Sequence, residues 1–301
     1  MEISNADRVV FPEDGITKGE VVAYYESVGA GMLPFVAGRA LTVERFPKGI
    51  GSQGFMQKNA PEHFGDDLIS RHEVPKEDGG TTVYPVVDDA RSIAAFANLG
   101  VITFHAPSST VADERSLDWV IWDLDPPSGR FDLARESALS LRGVLETFDV
   151  ATLPMTSGSN GYHLRSRLDP PMGAEVVAAT ARGIAALASA AHPDLMTLAF
   201  RKRDRGDRVF VDWLRNAPYS TSVVPWSLRA RPGAPVAAPI EWAEVEAIDP
   251  NGVRMTEVAR RIASQPWARM RPSDLGSVSG EVMKALSSAG IELEPFDRFR
   301  S

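Results

Sequence analysis

The chain has 301 residues, of which 44% are hydrophobic and 24% are charged, a composition typical of a globular protein. It contains no cysteine, which excludes disulfides, thiolate zinc sites and a cysteine nucleophile. No apolar run approaches the ~18 residues of a membrane span and no signal-peptide pattern opens the chain, so we expect a cytoplasmic protein without membrane contacts.

Helices are predicted where apolar residues recur at helical spacing, near residues 17–36, 92–98, 133–147, 173–191, 254–264 and 278–289. Thr17 and Glu20 have the spacing of a capping box at the first of these helices. Strands are predicted near residues 40–46, 100–105, 117–124, 151–156, 161–166 and 208–213. The Pro-rich stretch 232–239 indicates a linker or edge segment. Helices and strands mix without strict βαβ alternation, which favours an α+β or mixed-sheet architecture.

Two carboxylates end the apolar run at residues 119–122. Side chains alternate along a strand, so Asp123 and Asp125 project from the same face, and the following Pro-Pro ends the strand. Ionised carboxylates this close repel unless a cation neutralises them, and Mg²⁺ or Mn²⁺ prefers oxygen ligands. The pair indicates a divalent metal site or, as any short motif can, a solvated strand end or helix cap.

A third acid is embedded in the apolar strand Val209-Phe210-Val211-Asp212-Trp213. A carboxylate in such a strand costs free energy unless it is paired or metal-bound. A salt bridge to a neighbouring arginine would satisfy Asp212 as well as a metal would. If this strand lies beside the one with Asp123 and Asp125, the three acids form a cluster that can hold two cations.

A turn of small residues, 156–161, separates two predicted strands and is followed by His163 and Arg165 on one face. Its backbone N–H groups could bind an anion, although a Gly-Ser turn is often only a hairpin. Further on, Arg229 could bind a phosphate with two hydrogen bonds. His105, at the end of an apolar strand, is either structural or part of a site.

Positive charge is concentrated locally, even though the formal net charge of −8 argues weakly against nucleic-acid binding. The basic run 201–208 is either a solvated loop or part of a positive channel. Arg45 and Lys58 flank a Gly-rich segment whose Phe55 could stack on a base or pack in the core. The sequence Lys76-Glu77-Asp78-Gly79 fits a ligase nucleophile motif, but it lacks flanking strands and a second ligase motif, so we assign Lys76 no catalytic role.

Taken together, the motifs follow an order along the chain: Phe11 to Lys18, Gln57 to His63, Asp123 to Pro126, Thr156 to His163, Val211 to Trp213 and Ser227 to Arg229. This order resembles the polymerase domain of bacterial ligase D, a branch of the archaeo-eukaryotic primase superfamily, over about residues 3–245. The resemblance implies one α+β primase-polymerase domain over 1–301, with mixed and antiparallel sheets. Within it we expect an N-terminal α/β module at about 1–110, a catalytic core at 111–245 and C-terminal helices at 246–301.

The same resemblance implies roles for individual residues. Asp123, Asp125 and Asp212 match the metal-binding acids, and His105 matches an active-site histidine. The triphosphate-binding positions are Ser157, Asn160, His163 and Arg229, with Asn160 standing where relatives usually carry lysine. The implied DNA-binding residues are Arg8 and Lys18 for a 5′ phosphate, and Phe55 and Lys58 at the template. Because Arg45 flanks the same Gly-rich segment, we assign it to the DNA-binding residues as well.

The implied activity is two-metal, template-dependent nucleotide addition to DNA 3′ ends or short gaps in repair by end joining, with a preference for ribonucleotides. Its requirements would be two Mn²⁺ or Mg²⁺ ions, nucleoside triphosphates and gapped, primer-template or broken DNA. A separate ligase or end-binding protein would be a partner in the bacterial nucleoid. Two alternatives stay open, a metal-dependent nuclease or phosphatase and a non-catalytic DNA-end-binding module.

Overall fold

The computed structural model describes residues 2–76, 78–264, 267 and 270–294. Within these ranges the chain forms the helices α1 (Lys18–Val36), α2 (Ala90–Asn98), α3 (Phe131–Thr147), α4 (Ala174–Ala191), α5 (Val258–Ser264) and α6 (Leu275–Ser288). Each lies within about four residues of a predicted helix. The capping box of α1 is present, because Thr17 Oγ1 accepts from Glu20 N while the Glu20 carboxylate accepts from Thr17 N.

The strands are β1 (Val9–Phe11), β2 (Ile16–Thr17), β3 (Thr42–Arg45), β4 (Phe55–Gln57), β5 (Ser70–Pro75), β6 (Thr81–Val86), β7 (Val101–Pro107), β8 (Ser116–Asp125), β9 (Leu153–Thr156), β10 (Tyr162–Gly173), β11 (Met196–Thr197), β12 (Val209–Asp212), β13 (Thr221–Val223), β14 (Ser227–Leu228) and β15 (Val236–Ala237). All six predicted strands are found among them. The predicted Pro-rich linker contributes β15, which is buried.

A five-stranded sheet forms the centre of the molecule in the order β11-β12-β8-β10-β9, and only β11 and β12 pair in parallel. Helices α3 and α4 pack on one face of this sheet, where Trp122 Nε1 donates to the Ala181 carbonyl at 3.0 Å. Since side chains alternate along β8, Asp123 and Asp125 face the opposite side of the sheet from Trp122. This second face carries the candidate site.

A four-stranded antiparallel sheet, in the order β13-β7-β3-β4, lies against that second face. The two sheets are joined where Arg165 of β10 donates to Ser222 Oγ at 2.8 Å and to the Val223 carbonyl at 2.7 Å. Helices α1 and α2 pack together and cover this smaller sheet. The site therefore lies between two sheets, at the end of β8.

The core is continuous across both sheets and their helices. Helix α4 is the one described helix long and apolar enough to cross a membrane, with a mean hydropathy of 1.3. However, 56% of it is buried inside the protein, and its buried side chains pack toward β8 and α6. This placement is that of a core helix.

Candidate active site

Three acids from two neighbouring strands converge at the end of β8. In the sheet register Asp123 lies opposite Asp212, and Phe210 lies opposite Asp125. Asp123 and Asp212 both contact one guanidinium, since Arg215 Nε lies 3.3 Å from Asp123 Oδ2 and Arg215 Nη2 lies 3.1 Å from Asp212 Oδ2. The structure thus brings the three predicted acids together, and Asp212 has the arginine partner that sequence reasoning left open.

The acids differ in their electrostatic surroundings. Burial, together with the charges of Asp123 and Asp212, raises the pKa of Asp125 to about 7, because the neighbouring arginines offset only part of this effect. Burial also raises the pKa of Asp212. For Asp123 the upward effect of burial is overcome by His163 and Arg215, which hold its pKa well below the usual range. Burial and mutual repulsion therefore make three ionised carboxylates costly here unless positive charge offsets them, and Arg215 supplies part of that charge.

This donor set fits a divalent cation. As they stand, no three His, Asp or Glu side chains in the described parts of the chain gather their ligating atoms closely enough to hold a metal ion. The Arg215 guanidinium contacts both Asp123 and Asp212 and supplies positive charge of the kind that a divalent cation would supply. The Arg215 side chain is 37% exposed, against 12% and 8% for the two acids, so it is the most accessible member of this ion-paired group.

The turn between β9 and β10 lies directly against the acids. Gly161 packs so closely that a Cβ there would be 1.7 Å from the Leu124 carbonyl oxygen, between Asp123 and Asp125. Gly158 has a φ of +64°, and a Cβ there would lie 2.5 Å from Arg229 Cγ. The Ser157 hydroxyl accepts from Ser159 N at 3.2 Å and from Gly161 N at 3.3 Å. Glycine is thus needed at two points to bring this turn beside β8 and Arg229.

A polar pocket of about 310 Å³ opens between these elements. Seven predicted site residues line it: His105, Asp123, Asp125, Ser157, Asn160, His163 and Arg229. Asp212 lies behind Arg215, which also lines the pocket. A larger cavity of about 710 Å³ lies between α1 and β8, but none of the predicted site residues lines it. The chemistry is therefore concentrated in the smaller pocket.

Two histidines face this pocket from opposite sheets. His163 Nε2 lies 3.2 Å from Asp123 Oδ1, and burial lowers the His163 pKa. Burial lowers the pKa of His105 to about 3, assisted by the charges of Arg229, Arg215 and His163. Among the described residues neither ring has a hydrogen-bond partner for its buried Nδ1. His105 is thus a neutral imidazole that can donate or accept a hydrogen bond at neutral pH.

Three predicted DNA-binding residues lie together, although outside the pocket. Arg45, Phe55 and Lys58 line an open depression of about 440 Å³ on β3, β4 and the segment that follows. Phe55 is 49% exposed and therefore not a core residue. The Arg45 guanidinium lies 5.5 Å from the centre of its ring and donates to Gln57 Oε1. An exposed ring beside two cations fits a stacking surface.

Arg8 and Lys18 form a separate basic pair near the N-terminus. Lys18 is 6% exposed, and its Nζ donates to the Ser4 carbonyl at 2.6 Å and to Ser4 Oγ at 2.8 Å. Burial lowers the pKa of Lys18, and the charge of Arg8 lowers it further. Arg8 in turn donates to the Pro47 carbonyl. This pair lines neither the polar pocket nor the depression around Phe55.

Sequence reasoning missed three cations that line the pocket, Lys202, Arg205 and Arg215. The basic run 201–208 contained the first two, and Arg205 Nη1 lies 3.9 Å from Asp125 Oδ2. Arg215 had no signal beyond standing three residues after Asp212. Arg165 shares the expected face with His163, but it bonds to β13 and does not line the pocket. Lys76 lies in the exposed turn between β5 and β6, away from the pocket.

Comparison with known proteins places this chain in a family. The model for the primase-polymerase domain of LigD matches residues 17–267. The multifunctional non-homologous end joining DNA repair protein LigD of Mycobacterium tuberculosis is 34% identical over 274 residues, covering 87% of this chain and 35% of that protein. The bifunctional non-homologous end joining protein LigD of Bacillus subtilis is 30% identical over 268 residues, covering 88% and 43%. The chain thus spans less than half the length of these curated relatives.

A solved structure agrees with this family match. The polymerase domain from Mycobacterium tuberculosis ligase D, in complex with DNA, superposes with a TM-score of 0.81 at 32% identity. The superposition covers 88% of this chain and 95% of that one. Together with the helices and antiparallel sheets described above, the match confirms the predicted α+β fold.

Proposed function

The chain belongs to the LigD primase-polymerase family, and from that premise we propose that it is a nucleotidyltransferase that adds nucleotides to DNA 3′ ends or short gaps during repair by end joining. The observation that carries this proposal is one pocket with acids on one side and phosphate-binding groups on the other. Asp123 and Asp125 line it together with Ser157, His163 and Arg229. A nuclease could use such acids, but it would not need the second set.

The acids would hold the divalent cations. Asp123, Asp125 and Asp212 would together hold one ion, with Arg215 displaced, and Asp123 and Asp125 would chiefly hold the other. When bound, two such ions lower the pKa of a 3′-hydroxyl and stabilise the negative charge on the transferring phosphoryl group. We propose Mn²⁺ or Mg²⁺, because hard cations prefer carboxylate oxygens. Release of Arg215 would return a guanidinium to the pocket, where it can pair with phosphate oxygens.

The remaining pocket residues would bind the triphosphate. The Ser157 hydroxyl, whose oxygen accepts from Ser159 N and Gly161 N, can donate its own proton to a phosphate oxygen. Arg229 can form two hydrogen bonds with a phosphate. Lys202 and Arg205 add positive charge on the side of β12. Because Asn160 is neutral where relatives usually carry lysine, these two cations would carry more of the phosphate binding here. Neutral His105 would donate or accept one hydrogen bond to the nucleotide.

DNA would contact two further surfaces. We propose that Phe55 stacks on a template base, with Arg45 and Lys58 beside the backbone. Arg8 and the partly desolvated Lys18 would bind the 5′ phosphate of a gap or break. Template dependence and a preference for ribonucleotides belong to the same proposal, as does a separate ligase or end-binding partner. The DNA in the complex of the Mycobacterium tuberculosis polymerase domain supports the DNA contact.

A direct test incubates the protein with gapped DNA, one labelled ribo- or deoxyribonucleoside triphosphate at a time, and Mn²⁺ or Mg²⁺. We expect incorporation that depends on metal and template and is stronger with ribonucleotides. The variant Asp123→Asn should lose incorporation while its melting curve stays cooperative. Asp194→Asn, an acid-to-amide change at an exposed residue between α4 and β11, is the matched control. Degradation of DNA without added nucleotide would instead support a nuclease.

A further inference from the structure

A strained residue lies three positions before Arg229. Trp226 has a φ of +69°, although it is an aromatic residue that is only 4% exposed. This left-handed conformation is unfavourable for a bulky side chain and persists only where surrounding contacts impose it. Such residues are frequent at ligand clamps, so the contacts that hold Trp226 bear on function.

Two tyrosines of α1 bond to the backbone of the segment 226–228. The Tyr24 hydroxyl donates to the Trp226 carbonyl at 2.7 Å. The Tyr25 hydroxyl accepts from Leu228 N at 2.9 Å and donates to the Ile102 carbonyl of β7. Both tyrosines are buried, and burial raises the pKa of each hydroxyl, so both stay neutral hydrogen-bonding groups at every pH of interest. Phenylalanine would fill the same space without these bonds.

Ser227 completes the network from within the segment. Its Oγ accepts from Phe104 N at 2.9 Å, one residue before His105. Phe104 also packs edge-on against Tyr25, with ring centres 5.0 Å apart. The hydroxyls of Tyr24, Tyr25 and Ser227 thus join α1, β7 and the strained segment with buried hydrogen bonds.

The direction of Arg229 follows from this network. Its backbone N donates to the Pro235 carbonyl at 2.8 Å, and its side-chain stem lies against Gly158. The side chain extends directly from β14 into the pocket, so a small rotation of residues 226–228 would move the guanidinium away from bound phosphates. Such a displacement would weaken the two hydrogen bonds that the guanidinium can donate to a phosphate.

We propose that Tyr24, Tyr25 and Ser227 are positioning residues that fix the phosphate-binding direction of Arg229. The inference rests on the proposed function, because it requires that the pocket bind a nucleoside triphosphate. None of the three touches the substrate. Their hydroxyls act only through the backbone of residues 226–228, and they should affect nucleotide binding more than the chemical step.

The test measures KM and kcat for nucleotide incorporation, DNA affinity and melting temperature in Tyr25→Phe and Ser227→Ala. We expect the KM for the nucleotide to rise roughly 5- to 20-fold, kcat to change less than about 3-fold and DNA affinity to stay unchanged, the pattern of lost binding rather than lost catalysis. Ser92→Ala is the control, because it removes a buried hydroxyl that donates to the Leu68 carbonyl far from the pocket. This control variant should lose a similar amount of stability, but its KM for the nucleotide should equal that of the wild type.

Variants whose KM matches that of Ser92→Ala would overturn the inference while leaving the proposed function intact. A wild-type protein that incorporates no nucleotide would instead overturn the proposed function and this inference with it. If Tyr25→Phe does not fold, Tyr24→Phe decides, since it removes a single bond to the Trp226 carbonyl. In that variant an unchanged KM would contradict the positioning role.

Discussion

Replacing Gly161 with alanine should separate the phosphate-binding turn from the acids. The new Cβ would lie 1.7 Å from the Leu124 carbonyl oxygen and 2.9 Å from its carbon, whereas ordinary contact begins at 3.4 Å. Either the turn or the end of β8 must therefore move by well over 1 Å. Overpacking of this kind costs about 1–3 kcal/mol. Displacement of reacting groups by about 1 Å costs roughly 100-fold in rate.

We therefore expect urea titrations of Gly161→Ala to give a free energy of unfolding about 1–3 kcal/mol below that of the wild type. Its kcat/KM for nucleotide incorporation should fall about 100-fold. Gly173→Ala is the matched control, since Gly173 ends the strand β10 that Gly161 immediately precedes, has no positive φ and would meet nothing within 4 Å. Wild-type stability and activity in Gly161→Ala would refute the close approach of the turn to β8.

Three further predictions concern charge and exposure. The folded-state pKa of His105 lies below that of an unfolded histidine, so the free energy of unfolding should fall as pH drops from 6.5 toward about 3, by up to about 5 kcal/mol at about 1.4 kcal/mol per pH unit. In urea titrations of His105→Gln this free energy should fall less steeply with pH. An identical pH dependence in the variant and the wild type would contradict the buried neutral ring. Arg215→Gln should destabilise the metal-free protein by about 1–3 kcal/mol, a value reduced because the side chain is partly exposed. In melting curves Mn²⁺ should restore most of this lost stability. Equal melting temperatures of the variant with Mn²⁺ and with a chelator would argue against a shared cation position. Phe55→Ala should weaken binding of a single-stranded template by about 1–3 kcal/mol in fluorescence titrations without changing the melting temperature. Met283→Ala, at an exposed residue of α6, is the control. Equal template affinities in the two variants would exclude stacking.

The elements that sequence predicted best have strong periodicity of their own. Helix α1 has an apolar stripe and a capping box, and β8 is a long apolar strand ended by proline. In contrast, the hairpin of β5 and β6 was missed because β5 is mostly exposed and lacks an apolar pattern. Strands β13 and β14 span only three and two residues, so pairing with β7 and with β15, not local preference, forms them.

The site could be predicted where it depends on strand alternation and failed where it depends on tertiary folding. Asp123 and Asp125 share a face because they are two residues apart on one strand. Arg215, in contrast, reaches Asp123 across 92 residues of sequence, because the chain folds back after β12. No spacing rule connects such residues. The constraints on Trp226 were equally invisible, since they come from α1 and β7.

The most direct measurement is anomalous diffraction at the manganese edge from crystals grown with Mn²⁺ and a non-hydrolysable nucleoside triphosphate. We expect anomalous peaks among the carboxylates of Asp123, Asp125 and Asp212, with Arg215 moved away from them. The triphosphate should lie against Ser157, His163 and Arg229. Manganese and triphosphate bound elsewhere, with Arg215 still between Asp123 and Asp212, would contradict two-metal nucleotidyl transfer in this pocket.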